Sequence, residues 1–380
     1  MSGQSLNVEL QRQFHYDPTA ATTSAFVQQR GKLLPTAFEE ILRRFTYQNR
    51  PIRRWNGYTL LAADGSHVQI PSDIHDKATY FNSTKDGRGY NLLHLNALYD
   101  LESQVYLDAI IQDGREEHES QALVELVDRS ELTEPVILVA DRGYEAYNNM
   151  AHIEQKGWKY LIRVKDKQGL LSGLRLTGAP EFDAAFSYSL SKRLTNRIRQ
   201  EPHKYRWIPK KVHFDYIGDA SDALYPISFR VVRFAVKEGL YETVITNLPA
   251  DRFPPPLLRE LYHKRWGIET SFRDLKYTLA LTHFHAKKRP FIKQEIFSRM
   301  TLYNFASLLR LHAVFTQPEG KHLYRINTAF AAHIAREFLL GFVPAVNVEP
   351  LITKFLLPVR PGLQNRGICA RSAQSVFSIG

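Results

Sequence analysis

Three acidic residues lie at positions where burying a carboxylate would cost free energy unless the carboxylate has a function. Asp64 ends the apolar run TLLAAD and Asp141 ends the apolar run VILVAD, and both runs are typical of buried strands. Glu269 lies much later, in the stretch LYHKRWGIETSFRDLKYTL. Three ionised carboxylates in one cleft repel one another, and divalent cations remove that repulsion. Mg²⁺ prefers oxygen ligands, so these residue types indicate a magnesium site.

The chemistry that such a site can perform is phosphodiester cleavage. Two metal ions about 3.5–4 Å apart can activate an attacking hydroxyl and stabilise the leaving oxygen of a phosphodiester. This chemistry requires acids and needs no cysteine or histidine cluster. The single cysteine, Cys369, excludes an intramolecular disulfide and a cysteine-based zinc site. For each aspartate alone, the alternative is that it caps a turn, because DG and DRG favour turns.

The stretch that contains Glu269 is predicted to be a helix with a polar strip beside its apolar face. At about 100° per residue, Tyr262, Arg265, Glu269 and Lys276 fall within about 60° of one another. The alternative is a solvated flank in which Arg265 and Glu269 pair across one turn. That alternative leaves Gly267 unexplained, because glycine weakens a helix by roughly 1 kcal/mol relative to alanine. A close packing contact would explain it.

The elements that must position these residues follow a recognisable order. The segment YTLLAADGSHVQIP and a hairpin with DLESQ at its turn give three strands of antiparallel type. A helix in EEHESQALVELVDRS, the strand EPVILVAD, a helix that stops at Gly157 and the strand WKYLIRVKD follow. After a patch with β-like runs in RWIPKKVHFDYI, YPISFRVVRFAVK and YETVITNLP, the helix of Glu269 begins.

This order predicts an α/β fold with a ribonuclease-H-like catalytic core, in which the three acids converge on one edge of the sheet. The β-rich patch is then an insertion between the fifth strand and the glutamate-bearing helix. The N-terminal region is helical, with Thr36 and Glu39 as a capping box. The predicted parts are an N-terminal helical region that is a candidate for DNA binding (1–56), the two parts of the core (57–167 and 251–315), the insertion (168–250), and a C-terminal helical region with a basic tail (316–380).

The charge of the chain indicates an anionic partner. Lysine and arginine outnumber aspartate and glutamate by 50 to 39, which gives a net charge of +11. Such an excess favours nucleic acid first and a membrane surface second. No apolar run approaches the ~18 residues of a membrane span, and the N-terminus has no apolar core of signal-peptide type. We therefore expect no membrane association and a cytoplasmic location.

A second surface that could bind DNA lies in the insertion. The segment SKRLTNRIRQEPHKYRWIPKKVHF is strongly basic and includes Arg206, Lys210 and Lys211. Basic side chains supply phosphate affinity, and aromatic faces can stack an unpaired base. Trp207 could therefore receive a base flipped out of the duplex, or it could be a core residue of a β-hairpin. The sequence leaves both interpretations open.

The spaced residues of the Glu269 helix carry a resemblance to a known family. YHKRWGIETSFRDLK contains the complete Y-x2-R-x3-E-x6-K signature and so resembles the insertion-sequence-four family of DDE transposases from bacteria. AADGSHVQIP is similar to the first aspartate block of that family. VADRGYEAY, with Asp141, Arg142 and Gly143, is similar to the second. The likeness extends over most of the chain, and the spaced signature is its specific part.

The resemblance implies a cut-and-paste DNA transposase. Two Mg²⁺ ions, with Mn²⁺ as a substitute, would be held by Asp64, Asp141 and Glu269. Hydrolysis would nick the element's end, and the freed 3′-hydroxyl would then attack the second strand and later the target. The residues expected to contact DNA are Tyr262, Arg265, Lys276 and Arg142.

The partners that the resemblance implies are double-stranded DNA, as terminal inverted repeats and target, and a second copy of the chain. A homodimer would bridge two ends in the DNA complex, and the protein would associate with the bacterial nucleoid when on DNA. Two other functions remain open: a structure-selective nuclease of the same fold that joins no strands, and a catalytically idle DNA-binding derivative. The intact acids and complete signature argue against the idle derivative.

Overall fold

The computed structural model describes residues 5–82, 89–165, 169–172, 174, 176, 178–218, 222–318 and 323–359. The chain divides into two compact units, Met1–Asn304 and Phe305–Gly380. Most of the basic tail predicted at the C-terminus, including Cys369, lies outside the described residues. Among the described helices, none is both long and apolar enough to cross a bilayer.

The first unit starts with three helices and continues into the strands and helices predicted for the core. The helices are α1 (Leu6–Gln13), α2 (Thr23–Arg30) and α3 (Pro35–Asn49). The elements that follow are β1 (Thr59–Ile70), β2 (Tyr80–Phe81), β3 (Tyr90–Asp100), β4 (Val105–Asp113), α4 (Glu119–Asp128), β5 (Val136–Ala140), α5 (Tyr147–Gln155) and β6 (Lys159–Arg163). Apart from the short β2, this is the predicted order of three strands, helix, strand, helix and strand.

The capping box predicted for α3 is wrong. The helix begins at Pro35 with Leu34 at the N-cap position, and no side chain caps it. Proline fixes φ near the helical value and lacks the N–H that a cap would satisfy, so it starts this helix one residue before Thr36.

The strands of the first unit form one mixed sheet. Its first five strands in space have the order β2-β3-β1-β5-β6, with β4 also paired to β3, and four later strands continue the sheet beyond β6. The strands β1, β3 and β4 pair antiparallel, whereas β5 is parallel to β1 and β6 is parallel to β5. All five residues of β5 are buried, so this strand is covered on both faces, as expected for a parallel strand at the centre of a sheet.

Four later strands extend the same sheet. They are β7 (Phe182–Ser191), β8 (Tyr205–Trp207), β9 (Tyr225–Lys237) and β10 (Leu240–Thr246), with the short helix α6 (Asn196–Gln200) between β7 and β8. Strand β10 pairs antiparallel with β6 and so joins these four strands to the others, in the order β6-β10-β9-β7-β8. The β-like run predicted over RWIPKKVHFDYI is mostly wrong, because strand structure ends at Trp207. Strand β7 was not predicted.

The helix that carries Glu269 is long but not uniform. It consists of α7 (Pro255–Lys264), α8 (Trp266–Arg273) and a π-helical turn at Asp274–Thr278. At the junction, the Arg265 N–H donates to the Tyr262 carbonyl, a tighter step than an α-helical bond. The expectation of one regular α-helix is therefore wrong at these two places. Lys276 lies inside the π turn, so its ideal angular position does not apply.

Packing against the sheet fixes the position of this helix. Leu258, Leu261 and Tyr262 are buried in one cluster with residues of β1, β5, β6, β9 and β10. Gly267 has the close contact that the sequence required. A Cβ at that position would come within 2.8 Å of Leu101 in the turn between β3 and β4.

The second unit contains part of the helix α9 (Arg289–His312) and a two-stranded sheet with two helices. These elements are β11 (Leu323–Ile326), α10 (Thr328–Leu339), α11 (Ala345–Lys354) and β12 (Leu356–Val359). Strands β11 and β12 pair antiparallel. The unit has its own apolar core, formed by Ile326, Ala331, Ile334, Val348 and Ile352.

Candidate active site

Asp64 and Asp141 lie side by side because of the parallel register between two central strands. Ala63 of β1 pairs with Ala140 of β5, and each aspartate is the next residue along its strand. Strand β5 ends at Ala140, whereas β1 continues to Ile70. The interpretation of Asp64 as a turn cap is therefore wrong. Asp141 precedes a 3₁₀ turn, but its side chain does not cap that turn.

Arg265 connects the first aspartate to the glutamate. Its Nη2 donates to Glu269 Oε1 at 2.6 Å, and its Nη1 lies 3.6 Å from Asp64 Oδ2. The Arg265 side chain is only 5% exposed, so this cation is almost removed from water. A buried guanidinium requires carboxylate partners. The alternative of a solvated flank is therefore wrong. The Arg265 side chain that pairs with Glu269 is buried and also contacts Asp64.

Tyr262 connects the same helix to the second aspartate. Its hydroxyl donates to Asp141 Oδ1 at 3.3 Å while its ring is buried in the core cluster. Burial raises the pKa of Tyr262 well above its usual range, so the phenol keeps its proton and acts as a donor. Two of the four residues in the predicted polar strip, Tyr262 and Arg265, thus contact the two aspartates, and a third, Glu269, is joined to them through Arg265.

The electrostatics of Asp64 are unusual for an aspartate. Burial raises the pKa of Asp64 to about 7, with smaller raising effects from Glu269 and Asp141 and an opposing effect from Arg265. A carboxyl group in this position gives up its proton reluctantly unless a cation is close. The three acids therefore influence one another, and they share Arg265 as a positive charge.

A polar cavity of about 960 Å³ opens beside the two aspartates. Its wall contains more acidic than basic side chains. The acids are Asp64, Glu119, Asp141, Glu145 and Glu242, and the bases are Arg142, Arg163 and Lys165. The excess of acidic side chains suits bound cations. The basic side chains in the same wall suit an anionic ligand that binds together with those cations.

Glu119 is a cavity residue that the sequence analysis missed. It is the first residue of α4, and its carboxylate lies against the glycines that follow the two aspartates. A Cβ at Gly65 would come within 2.7 Å of Glu119 Oε1, and a Cβ at Gly143 within 2.7 Å of Glu119 Oε2. The DG and DRG sequences thus leave room for a fourth carboxylate. Nothing in the spacing of Glu119 could have indicated this.

Arg163 is a second residue that was missed, although a signal was present. It ends β6, and the pairing of Ala140 with Ile162 places it next to Asp141. Its Nη1 lies 3.9 Å from Asp141 Oδ1 and 3.7 Å from Glu242 Oε1. Polar residues at the ends of adjacent parallel strands meet at one edge, so the predicted strand WKYLIRVKD could have identified this arginine.

Lys276 and Arg142, the other predicted DNA contacts near the acids, do not join the network around Arg265. Lys276 is half-buried, and burial lowers its pKa. In the described part of the chain, its ammonium group has no ion pair with the three acids. Arg142 is exposed in the 3₁₀ turn after Asp141 and lines the cavity. As far as the described residues go, neither side chain would break an ion pair in contacting a ligand.

The residues predicted from the insertion divide into two kinds. Arg206 is held within the protein, since its Nη2 donates to the carbonyls of Leu170 and Ser172. It thereby fixes the segment beside Gly169, which lines the cavity. Trp207, Lys210 and Lys211 are exposed, and the Trp207 side chain donates to the Lys192 carbonyl at 3.3 Å. With 44% of its surface exposed, Trp207 is not a core residue.

The donor set fits divalent cations in its chemistry. Asp64, Asp141 and Glu269 offer hard carboxylate oxygens, and the raised pKa of Asp64 indicates that positive charge is still lacking beside it. Among the described residues, these three acids are not gathered into a ready metal-binding group. Arg265 supplies positive charge beside Asp64 and Glu269, and Arg163 supplies it beside Asp141.

A family model described as "Transposase DDE domain" matches residues 55–305. Among solved structures, the chain is similar to the piggyBac transposase in a synaptic complex with hairpin DNA, with a TM-score of 0.43 and 9% sequence identity. That similarity covers 90% of this chain and 66% of the other, so this chain spans slightly less than two thirds of the other's length. No curated protein matches the sequence significantly.

Proposed function

Because the chain belongs to the transposase DDE domain family, we propose that it is a DNA transposase of the insertion-sequence-four type that moves a bacterial element by cut and paste. The complete Y-x2-R-x3-E-x6-K signature supports this subgroup. The core strand order β4-β3-β1-β5-β6, with three antiparallel and two parallel strands, supports a ribonuclease-H-like core. The strands β7–β10 are then the insertion before the glutamate-bearing helix.

The observation that carries the proposal is the connection among Asp64, Asp141 and Glu269. Adjacent parallel strands bring the two aspartates together, and Arg265 brings the glutamate to them. Carboxylates from distant parts of the chain have no structural need to meet at one buried guanidinium, as Asp64 and Glu269 do at Arg265 beside Asp141. Such a costly arrangement is typical of a functional site.

In the proposed reaction, these three acids hold two divalent cations, Mg²⁺ or Mn²⁺. When bound, the cations would supply Lewis-acid assistance to the attacking and leaving oxygens of a phosphodiester. The side chains around the acids have a separate task. Tyr262 orients the Asp141 carboxylate through its hydrogen bond, and Arg265 holds Asp64 and Glu269 near each other against their mutual repulsion. The acids are thus positioned before DNA arrives.

DNA would approach the site over two cationic side chains that make no ion pair within the described ranges of the chain. Arg142 at the cavity and Lys276 on the π turn are placed to take phosphates near the acids. Tyr262 and Arg265, which already contact the acids, would also contact DNA there. Trp207, Lys210 and Lys211 form an exposed surface on the insertion for the element's end, and Arg206 holds the segment beside Gly169 through the carbonyls of Leu170 and Ser172.

The proposed assembly is a homodimer that bridges two terminal inverted repeats and then captures target DNA. The N-terminal helical region is a second candidate surface for the repeats. The protein would act in the bacterial cytoplasm, at the nucleoid when on DNA. The division of the chain into five parts, with the boundaries predicted from the sequence, is part of this proposal.

Cleavage and joining assays with isosteric variants test the function. We expect Asp64→Asn, Asp141→Asn and Glu269→Gln each to abolish Mg²⁺-dependent cleavage of a DNA end while DNA binding stays within about threefold of wild type. Glu260→Gln, an exposed glutamate on α7, is the matched control and should cleave normally. Near-normal cleavage by any one acid variant would remove that residue from the site.

A strand-transfer assay separates the proposed function from a nuclease. The substrate is a precleaved end with a free 3′-hydroxyl, incubated with target DNA and Mg²⁺. Joined product supports a transposase. Cleavage of branched DNA without any joined product would instead support a structure-selective nuclease, and binding without either reaction would support an idle derivative.

A further inference from the structure

Beyond the three acids lies a second group of metal-ligating side chains. His67 is on β1, three residues after Asp64, and it pairs in register with His94 of β3. Glu117 reaches them from the loop that leads into α4. Its Oε2 lies 2.7 Å from His67 Nε2 and 3.1 Å from His94 Nδ1. One ligand atom from each of the three residues comes within 4.8 Å of the others.

The environment of His94 calls for positive charge between two carboxylates. Its side chain is only 4% exposed, and neither ring nitrogen makes a hydrogen bond. Each nitrogen nevertheless faces a carboxylate oxygen, since Nε2 lies 3.3 Å from Glu119 Oε1. A neutral imidazole carries one N–H, so one carboxylate must face a ring lone pair. Two buried, unsatisfied nitrogens between two acids are costly unless a positive charge sits beside them.

We propose that His67, His94 and Glu117 bind one transition-metal ion of the zinc class. Two imidazoles and one carboxylate are ligands that Zn²⁺ accepts, whereas Mg²⁺ prefers oxygen ligands alone. In a tetrahedral site with ligands at about 2.0–2.2 Å, donor atoms are roughly 3.3 Å apart. The measured contacts of 2.7 and 3.1 Å would need to widen by about 0.6 and about 0.2 Å. Water would complete the coordination, because His67 and Glu117 are partly exposed.

Glu119 then has a defined task as the partner of a metal ligand. A metal-bound histidine usually donates its second ring N–H to a carboxylate, which fixes the tautomer and the ring orientation. With His94 Nδ1 on the metal, Nε2–H would point to Glu119 Oε1, 3.3 Å away. The other oxygen of Glu119 lies beside Gly143, at the edge of the catalytic cavity. The ion would thus attach the loop before α4 to β1 and β3, and it would fix the position of Glu119.

The test measures metal content and not activity, so its outcome is independent of the proposed function. The full chain carrying Asp64→Asn and Asp141→Asn serves as background, which weakens the carboxylate centre. After incubation with Zn²⁺ and gel filtration, we expect about one zinc ion per chain by mass spectrometry. Co²⁺ should give the visible absorption of a four-coordinate site.

Single variants in this background locate the ion. We expect His67→Gln and Glu117→Gln, both at partly exposed positions, to lose bound zinc and the cobalt absorption. Glu119→Gln should retain the ion with an affinity lower by roughly 10–100-fold. Glu116→Gln and His118→Gln, the exposed neighbours of Glu117, are the controls and should match the background. Absence of bound zinc in the background chain, or equal retention by Glu116→Gln and Glu117→Gln, would overturn the proposal.

Discussion

The guanidinium of Arg265 lies 3.6 Å from the carboxylate of Asp64, and both side chains are mostly buried. This contact joins a late helix to the first strand of the core across about 200 residues of sequence. Arg265 also donates to Glu269, so one cation serves two acids. Any divalent ion that binds these acids must share them with this guanidinium. Several measurable properties of the protein depend on that competition.

Removing Arg265 should destabilise the metal-free protein. Arg265→Ala leaves Asp64 and Glu269 without their shared cation, and loss of one partner of a buried pair costs about 3–5 kcal/mol. We expect about 2–4 kcal/mol here, because the Glu269 side chain is 35% exposed and partly solvated. Urea unfolding in EDTA at pH 8 measures the loss. Arg273→Ala, which removes an exposed arginine from α8, is the control.

Mg²⁺ should restore part of the stability that the Arg265→Ala variant loses. If the cation and the guanidinium neutralise the same acids, Mg²⁺ will raise the Tm of Arg265→Ala by more than it raises the Tm of wild type. Equal shifts in the two proteins would mean that Mg²⁺ binds elsewhere.

The raised pKa of Asp64 predicts a pH dependence of stability with a definite sign. The folded-state pKa is about 7, against 3.8 for the free residue. Between these values, the folded protein binds a proton that the unfolded chain releases, so stability falls as pH rises from about 4 to about 7. The slope is at most about 1.4 kcal/mol per pH unit. Above about pH 7, the full cost of the buried charge is present.

Asp64→Asn isolates this contribution because asparagine resembles the protonated acid. In EDTA, we expect the variant to be more stable than wild type at pH 8, and the difference to shrink by a few kcal/mol at pH 5. Urea unfolding at the two pH values measures it, with the exposed Asp251→Asn as control. If Asp64→Asn is no more stable than wild type at pH 8, the ionised Asp64 carboxylate does not destabilise the folded protein.

The glycines after the two aspartates should differ in their tolerance of a methyl group. A Cβ at Gly65 would come within 2.3 Å of Nε2 in the buried His94 ring, which has little room to move. We expect Gly65→Ala to cost about 1–3 kcal/mol, as overpacking of a core does. A Cβ at Gly143 meets only the end of the flexible Glu119 side chain, so Gly143→Ala should cost less than about 1 kcal/mol.

A double-mutant cycle tests the cause. Glu119→Ala should remove the cost of Gly143→Ala and only part of the cost of Gly65→Ala, because His94 remains in the way. Purely additive free energies of unfolding in both cycles would show that Glu119 is not the obstacle.

Much of the core could be predicted because local patterns and tertiary packing agree there. The run VILVA is apolar throughout and becomes the buried strand β5, and Gly157 ends α5 with a positive φ. The signature spacing identified Tyr262, Arg265 and Glu269 because a nearly regular helix carries those three. The prediction became unreliable at Lys276, where a π turn changes the number of residues per turn.

The residues that were missed depend on contacts between distant segments. Glu119 reaches the cavity only because α4 starts beside two glycines that are far away in the sequence. His67 and His94 meet through a register of β1 and β3 that alternation alone does not fix. The strand predicted after Trp207 failed for a different reason: its aromatic side chains, such as Phe214 and Tyr216, pack in a loop and not in a sheet.

We expect the exposed ring of Trp207 to stack against an unpaired DNA base. Its indole N–H is held by the Lys192 carbonyl, so the ring has a fixed orientation without being buried. An exposed, oriented indole beside Lys210 and Lys211 is suited to an unpaired base at a cleaved end. With 2-aminopurine at that end, we expect wild type and Trp207→Phe to change the fluorescence on binding, and Trp207→Ala to lose most of that change while still binding DNA. An unchanged signal in Trp207→Ala would show that the ring receives no base.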